Sequence, residues 1–148
     1  MKIVIQRVKK ARVLINNKNI SSINYGMLLL VGFQKNDKPD FNSIINKILK
    51  MRIFNDDNGK MNKSITEIKG EILVISQFTL ISNIQKGNRP SFKNACDYEK
   101  AKILYNQFIK LLNNYEINVE KGRFGAHMNL DFINDGPVTI IMDDRNEW

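Results

Sequence analysis

The chain has 148 residues, of which 43% are hydrophobic and 26% charged, and its formal net charge is +8. This composition is typical of one soluble domain with a hydrophobic core, and it excludes a compositionally disordered chain despite the many asparagines. The longest uninterrupted apolar run, residues 27–31, is far shorter than a membrane span. No signal-peptide pattern opens the sequence, so we expect a cytoplasmic protein without a membrane segment.

The basic charge comes from 23 lysines and arginines against 15 aspartates and glutamates. It favours a polyanionic partner such as a nucleic acid, although lysines that merely face water would give the same balance. The basic residues concentrate in two segments, which contain Lys2, Arg7, Lys9, Lys10 and Arg12, and then Lys86, Arg89 and Lys93.

Cys96 and His127 are the only cysteine and the only histidine of the sequence. One cysteine excludes an intrachain disulfide, and a zinc site usually needs three or four such ligands, so we expect no bound metal and no cofactor. Cys96 precedes Asp97 at a predicted helix start, where a thiolate can be stabilised. His127 has no evident partner residue, which favours a surface or packing role over that of a general base. A cysteine hydrolase that uses both residues is one alternative.

No internal repeat or Pro/Gly-rich linker divides the sequence, so we predict a single domain over residues 1–148. Residues 3–5 predict a strand, and residues 11–15 predict its hairpin partner. Residues 16–19 then predict a turn, because asparagine tolerates left-handed backbone conformations. The apolar residues 27–33 predict a strand that is buried on both faces.

Apolar residues recur at three- and four-residue spacing in two places, and each predicts an amphipathic helix. Asp37 or Asp40 can cap the first helix, with Pro39 near its first turn. The apolar stripe of the first helix consists of Phe41, Ile44, Ile45, Ile48 and Leu49. The second helix covers residues 97–113, and its stripe consists of Tyr98, Ala101, Leu104, Tyr105, Phe108, Leu111 and Leu112.

The remaining segments predict strands. A short hairpin is expected around residues 53–61, a strand at residues 71–79, and three more strands at residues 117–120, 128–133 and 138–142. Strands and helices do not alternate regularly along the chain. We therefore predict an α+β fold with a largely antiparallel or mixed sheet, curled and covered by two helices.

Two polar segments are candidates for a site. The first ends the predicted strand 71–79, where polar side chains commonly face a ligand, although a strand that leaves the core would look similar; it consists of Ser76, Gln77, Phe78 and Thr79. The second joins the last two predicted strands and also suits an ordinary hairpin turn; it consists of Asn134, Asp135, Gly136, Pro137, Val138 and Thr139. No Gly-x-Ser-x-Gly elbow, Walker loop or His-Glu-x-x-His motif is present, which excludes those familiar sites.

Seven motifs follow one another along the chain: Gln6-Arg7-Val8, Arg52-Ile53-Phe54, Gly59-Lys60-Met61-Asn62, Ser76-Gln77-Phe78-Thr79-Leu80, Gly87-Asn88-Arg89-Pro90-Ser91-Phe92, Gly122-Arg123-Phe124 and Asn134-Asp135-Gly136-Pro137-Val138-Thr139. In their order and spacing they resemble the D-aminoacyl-tRNA deacylase family, from Met1 to about Ile141. One tetrapeptide alone is weak evidence, whereas seven in order are strong. Only the tail, residues 143–148, lies outside the pattern.

The resemblance implies a homodimeric, barrel-like α+β hydrolase that removes D-amino acids from tRNA, a proofreading step in translation. A Gly136-Pro137 pair with a cis peptide bond would enter the partner subunit's pocket. Its carbonyl groups would hold the α-amino group of the substrate, and its bulk would leave no room for an L side chain. Glycine is achiral and escapes such a filter, so glycyl-tRNA is an expected substrate as well.

The resemblance also implies roles for individual residues. The catalytic set, which would face the terminal adenosine and the scissile ester, is Ser76, Gln77, Phe78 and Thr79. Thr79 is either a nucleophile or a positioning group. A threonine nucleophile needs an adjacent base and none is evident, whereas the 2′-hydroxyl of the terminal ribose can activate water. The substrate-binding set is Arg7, Phe124, Gly125, Ala126, Gly136 and Pro137. The ring of Phe124 can stack on adenine, and basic residues would contact acceptor-stem phosphates.

Two further alternatives stay open. A related deacylase with a trans Gly136-Pro137 bond would also cleave some L-aminoacyl-tRNAs. A non-enzymatic RNA-binding module would suit the basic charge, but the chain lacks the signatures of RRM and KH modules. Rates on D- and L-aminoacyl-tRNA distinguish these possibilities.

Overall fold

Two long antiparallel strands organise the computed structural model, which describes residues 1–144. One has 14 residues and the other 15, about three times the usual strand length. The elements in chain order are β1 (Lys2–Ile15), β2 (Lys18–Ile23), β3 (Gly26–Gly32), α1 (Phe41–Lys50), β4 (Phe54–Asn55), β5 (Met61–Lys63), β6 (Glu71–Ser76), a 3₁₀ helix (Phe78–Ile81), α2 (Tyr98–Leu112), β7 (Asn118–Lys121) and β8 (Asn129–Asp143).

The main sheet has the order β2-β1-β3-β6-β7, and β8 pairs with β1. The first half of β1 pairs with β3, the second half with β2, and β8 runs along both halves. The pairs β3–β6 and β6–β7 are parallel and the others antiparallel, so the sheet is mixed. It curls into a barrel-like form with two helices, which confirms the predicted α+β architecture. The strands β4 and β5 form the predicted short hairpin as a separate small sheet.

The predicted hairpin between residues 3–5 and residues 11–15 is wrong, because both segments belong to β1. Residues 8–11 contain no Gly, Pro, Asn or Asp, so no turn chemistry interrupts the strand there. The hairpin partner is β2. The connecting turn contains Asn16 and Asn17, with φ angles of 50° and 62°, so the turn predicted from the asparagines is confirmed.

The two strands predicted at residues 128–133 and 138–142 are one strand, β8, so the interpretation of the segment between them as a hairpin turn is also wrong. Both halves of β8 pair antiparallel with β1, whereas a hairpin would reverse the chain. Gln6 pairs with Thr139 and Val8 with Asn134, so two steps along β1 correspond to five along β8. Residues 135–138 therefore leave the ladder as a bulge, which we call the β8 bulge.

The strand predicted at residues 71–79 ends earlier, at Ser76. Gln77 still donates its backbone N–H to the carbonyl oxygen of Val31 at 2.7 Å, which extends the pairing with β3 by one bond. The carbonyl of Gln77 then accepts the N–H of Leu80 at 3.3 Å, and this bond starts the 3₁₀ helix. The polar segment after β6 is thus a tight helical turn rather than extended chain.

Both predicted helices are present. In α1 all five residues of the predicted stripe are buried, and the side chain of Asp40 accepts the N–H of Ser43 at 3.1 Å. Asp40 is therefore the cap, whereas the carboxylate of Asp37 accepts the N–H of Gln34 at 2.6 Å. In α2 the stripe is buried only in its later turns, and Tyr98 at the start is 55% exposed. No helix within residues 1–144 is long and apolar enough to cross a membrane.

The predicted tail has two parts. Asp143 is the last residue of β8 and pairs with Lys2, and the carboxylate of Asp144 contacts the amino group of Met1. Residues 145–148 lie outside the described part of the chain.

Phe108 and Tyr105 are two buried residues of α2 that different interactions hold in place. Phe108 is completely buried against Phe41, with ring centroids 5.6 Å apart, and Phe108→Ala should destabilise the fold by about 3–5 kcal/mol. The hydroxyl of Tyr105 donates to the carbonyl of Val74 at 2.8 Å, but that carbonyl also accepts the N–H of Gly122 at 3.0 Å. Tyr105→Phe should therefore cost only about 1 kcal/mol. Urea unfolding measures the free energy of unfolding of both variants, and an equal loss in the two would contradict this account.

Candidate active site

A cavity of about 610 Å³ opens where the parallel strands β3 and β6 end. Neighbouring parallel strands end at the same edge of a sheet, so the residues that follow them meet there. The start of α2 and the loop between β7 and β8 complete the walls. This volume lies within the usual range for small-molecule sites.

The polar segment after β6 forms one wall. Ser76, Gln77 and Phe78 line the cavity, and Thr79 is joined to them because its hydroxyl accepts a hydrogen bond from the amide of Gln77. The backbone N–H groups of Phe78 and Thr79 precede the first hydrogen bond of the 3₁₀ helix, so the helix itself does not use them. This wall therefore combines a hydroxyl, an amide and two backbone donors.

The loop between β7 and β8 forms the facing wall, with Phe124, Gly125 and Ala126 among its residues. The ring of Phe124 packs against Tyr98 at 5.2 Å and Tyr105 at 5.4 Å between centroids. It therefore contacts both the cavity and the hydrophobic core. Gly125 has a φ angle of +75°, a conformation that L side chains rarely adopt.

The other predicted substrate-binding residues, Arg7, Gly136 and Pro137, do not line this cavity. Gly136 and Pro137 belong to the β8 bulge and are exposed, and the peptide bond between them is cis. Arg7 is 5% exposed and lies opposite the bulge. The predicted site residues thus form two separate groups within one chain.

Several contacts hold the β8 bulge on β1. Arg7 donates from Nε to the carbonyl of Asp135 at 3.1 Å and from Nη1 to the carbonyl of Ile53 at 2.6 Å. The amide of Asn134 donates to the carbonyls of Arg7 and Val138, both at 3.1 Å. A further contact at 3.4 Å joins the Tyr25 hydroxyl to the Asp135 carboxylate. The bulge is therefore a fixed structure with each flank hydrogen-bonded.

Burial is the largest influence on the Tyr25 hydroxyl and raises its pKa, against a smaller opposing effect of Arg7. The hydroxyl therefore stays protonated at neutral pH and acts as the donor towards Asp135.

The cavity residues outside the predicted catalytic and binding sets include Cys96, Tyr98 and His127. Tyr98 belongs to the predicted core stripe, but as the first residue of α2 it is half exposed and lines the cavity, and only its position at a helix start signals this. Burial, the largest cause, raises the pKa of Cys96 more than Lys100 lowers it. The possible stabilisation of a Cys96 thiolate at the helix start is therefore not favoured, and the thiol is protonated at neutral pH.

Charged side chains are lacking in this cavity. Among the described residues that line it there is no Asp, Glu, Lys or Arg. Its polar groups are a serine, a glutamine, a tyrosine, a histidine and main-chain groups. A largely neutral cavity of this kind binds its ligand through shape and fixed dipoles rather than through ion pairs. Fold and site together define a small barrel-like α+β protein whose described cavity residues include no carboxylate for acid–base chemistry.

The sequence comparisons identify the family. A family model described as D-Tyr-tRNA(Tyr) deacylase matches residues 4–143. The D-aminoacyl-tRNA deacylase of Dictyoglomus turgidum is 51% identical over 144 residues, which cover 97% of this chain and 92% of the relative. That of Thermosipho africanus is 46% identical over 146 residues and 98% of both chains. The chain belongs to the D-Tyr-tRNA(Tyr) deacylase family and is a deacylase enzyme, as the seven motifs predicted.

Solved structures agree in fold. The chain is similar to a structure named c-Myc DNA Unwinding Element Binding Protein, with a TM-score of 0.90 and 38% identity over 97% of this chain and 99% of that one. A probable eukaryotic D-amino acid tRNA deacylase gives a TM-score of 0.82 at 18% identity, over 95% and 97% of the two chains. The second likeness shows the fold alone.

Gly125 offers a test of the cavity wall. A Cβ at this position would lie 2.5 Å from the hydroxyl of Tyr98, so Gly125→Ala should displace Tyr98 and raise KM for D-tyrosyl-tRNA roughly tenfold. Gly59 is the matched control, because its φ angle of +77° is nearly the same and nothing lies within 4 Å of its added Cβ. Both variants should lose about 1 kcal/mol of stability through backbone strain. An unchanged KM in Gly125→Ala would contradict the assignment of this wall.

Proposed function

We propose that the protein hydrolyses the ester bond of D-aminoacyl-tRNA and of glycyl-tRNA, releasing tRNA and the free amino acid as a chiral proofreading step in the cytoplasm. The observation that carries this proposal is the cavity at the ends of β3 and β6. Two distant motifs of the sequence form its facing walls: Ser76, Gln77 and Phe78 on one side, and Phe124, Gly125 and Ala126 on the other.

The terminal adenosine of the tRNA would occupy this cavity. Phe124 and Tyr98 supply aromatic surface for the base, and stacking of this kind is worth about 1–3 kcal/mol per base. The neutral lining suits a nucleoside and an ester better than a charged ligand. The scissile carbonyl would then lie beside the segment from Ser76 to Thr79.

Hydrolysis would begin with attack of water on the ester carbonyl, which places a negative charge on its oxygen. The N–H groups of Phe78 and Thr79, which the 3₁₀ helix does not use, are the donors best placed to stabilise that charge. The leaving group is the 3′-oxygen of the ribose, which takes up a proton. No described cavity residue is a carboxylate, so the neighbouring 2′-hydroxyl of the substrate would activate the water.

Thr79 would position the reacting groups rather than attack. Its hydroxyl accepts a hydrogen bond from the Gln77 amide nitrogen, which is a donor and cannot serve as the base that a nucleophilic hydroxyl needs. The bond would orient the Gln77 amide along the cavity wall. Ser76 and Gln77 would then hold the ester, and Phe78 would cover it.

Discrimination against L substrates would come from the β8 bulge of a second copy. Gly136 and Pro137 are exposed and do not line the larger cavity of their own chain, so they are available to enter that of another. Their carbonyl groups would bind the α-amino group, and their atoms would occupy the space that an L side chain needs. Arg7 would fix the height of the bulge through its bonds to Asp135 and Ile53.

The outer edge of β8 favours the homodimer that this filter requires. Within the described part of the sheet, β8 pairs with β1 alone, which leaves its other edge open. Ile133 and Ile141 on β8 are exposed, the second to 73%. Open strand edges and apolar surface together favour association with another copy.

The acceptor stem would be bound through its phosphates. Lys86, Arg89 and Lys93 lie in the segment between the 3₁₀ helix and α2, next in sequence to the cavity wall. Contacts of this kind give affinity without sequence choice and weaken with salt. We regard residues 1–148 as one deacylase domain.

The first test is the rate of ester loss from D-tyrosyl-, L-tyrosyl- and glycyl-tRNA, incubated in parallel with purified protein and with buffer alone. We expect rapid loss of the D-tyrosyl and glycyl esters and retention of the L ester, because only an L side chain meets the bulge. Loss of both tyrosyl esters would indicate the trans-type relative. Loss of neither, with tRNA still bound, would favour an RNA-binding module, and stable glycyl-tRNA would contradict a filter based on exclusion.

Thr79→Ala distinguishes positioning from nucleophilic attack. Loss of the hydrogen bond to Gln77 should lower kcat roughly tenfold, whereas removal of a true nucleophile costs on the order of 10⁴-fold or more. Thr79→Ser is the matched control, because it keeps the hydroxyl and should retain nearly full activity. Complete loss of turnover in Thr79→Ala, with tRNA binding intact and Thr79→Ser active, would show that the hydroxyl attacks.

A further inference from the structure

A second, smaller cavity of about 250 Å³ lies at the other end of the 3₁₀ helix. Ile81, the last residue of that helix, lines it, whereas Phe78, the first, lines the larger cavity. We call it the Gln34 cavity. Its polar side chains are those of Lys2, Gln34, Ser82, Asn83, Gln85 and Asn94.

The side chain of Gln34 lacks a partner in this cavity. Gln34 is only 7% exposed, and its Nε2 is the one buried side-chain nitrogen or oxygen within residues 1–144 without a hydrogen bond. Its backbone is fixed, because its N–H donates to Asp37 at 2.6 Å and the residue forms a bridge with Ala95. A buried donor without an acceptor is costly, which points to a ligand that accepts from it.

The charge of the cavity indicates what the ligand is. The ammonium group of Lys2 lies 3.5 Å from the carboxylate of Asp143 and has three N–H donors, so it can bind a second acceptor. Asn83 uses its carbonyl oxygen to accept the N–H of Gln85 at 2.9 Å, which leaves its amide N–H groups available. No side chain that lines the cavity, among the described residues, is a carboxylate. A set of donors around one cation matches an oxyanion.

We propose that the Gln34 cavity binds a phosphate group, with Gln34 Nε2 and Lys2 Nζ as its principal donors. A tetrahedral phosphate presents acceptors in several directions and is small enough for the volume. The four-residue 3₁₀ helix separates the two cavities by about 6 Å along its axis, so one RNA strand can reach both. The assignment of the phosphate to the strand of the substrate rests on the proposed function, whereas the affinity of the cavity for phosphate does not.

The phosphate site is tested by titrating the purified protein with inorganic phosphate in a calorimeter, with sodium chloride added to keep the ionic strength constant. Gln34→Met keeps the length of the side chain and removes only the unpaired amide, so it should fold. Affinity for phosphate should fall roughly tenfold in Gln34→Met and in Lys2→Met, and stay unchanged in Lys110→Met, which removes an exposed lysine on α2. No saturable binding by the unaltered protein, or equal affinity in Gln34→Met, would overturn the proposal.

The origin of the phosphate is tested with D-tyrosyl-tRNA. If the strand of the substrate supplies it, KM should rise roughly tenfold in Gln34→Met with kcat unchanged, and inorganic phosphate should compete with tRNA in the unaltered protein only. Weaker phosphate binding with an unchanged KM would support a site for free phosphate and overturn the assignment to the strand. If the protein cleaves no D-tyrosyl-tRNA, the proposed function fails, while the titration still decides the site.

Discussion

The pairing of β1 with β8 along almost their whole length is the constraint on which the other features depend. β8 occupies one edge of β1. Because β1 is long, both β3 and β2 pair along its other edge, and β6 then pairs with β3 in parallel. That parallel pair brings residues 31–33 and 75–78 to one edge, where the larger cavity opens. The same ladder has its only large irregularity opposite Arg7, where the β8 bulge leaves the sheet. Cavity and bulge are thus two consequences of one pairing.

Arg7 shows how the bulge and the fold depend on each other. A guanidinium that is 5% exposed is stable only when its donors are satisfied, and here they reach the carbonyls of Ile53 and Asp135. Asp135 adds its carboxylate at 3.1 Å, so the charge is also paired. Collapse of the bulge would therefore leave the buried guanidinium without its carboxylate partner, although its bonds to Ile53 and Asn55 would remain. The contacts of Arg7 with Asp135 thus help to fix the residue that precedes Gly136 and Pro137.

Sequence periodicity predicts the helices, whose buried face repeats locally, but it does not predict the extent of the long strands, which depends on pairing with distant residues. All five stripe residues of α1 are buried, because a helix shows its buried face within its own sequence. The sequence pattern divides each long strand into two. In β8 the reason is that residues 134–137 suit a turn and a bulge equally, and only the pairing with β1 distinguishes the two. The motifs predicted Ser76 and Phe124 for one site, and both line the cavity. Tyr98 fits the apolar stripe of α2 by spacing, yet it is 55% exposed, since periodicity does not show which turn of a helix leaves the core.

The division of the site residues into two groups has a consequence for assembly. The β8 bulge is held by hydrogen bonds at its flanks, whereas Gly136 and Pro137 are exposed and do not line the larger cavity of their own chain. In the proposed dimer, a two-fold axis would place the bulge of one chain at the cavity of the other and the reverse. The filter would then be a property of the dimer, while the chemistry of the ester would stay with the cavity of one chain. Substrate selection and catalysis would then respond separately to substitutions in β8 and in the 3₁₀ helix.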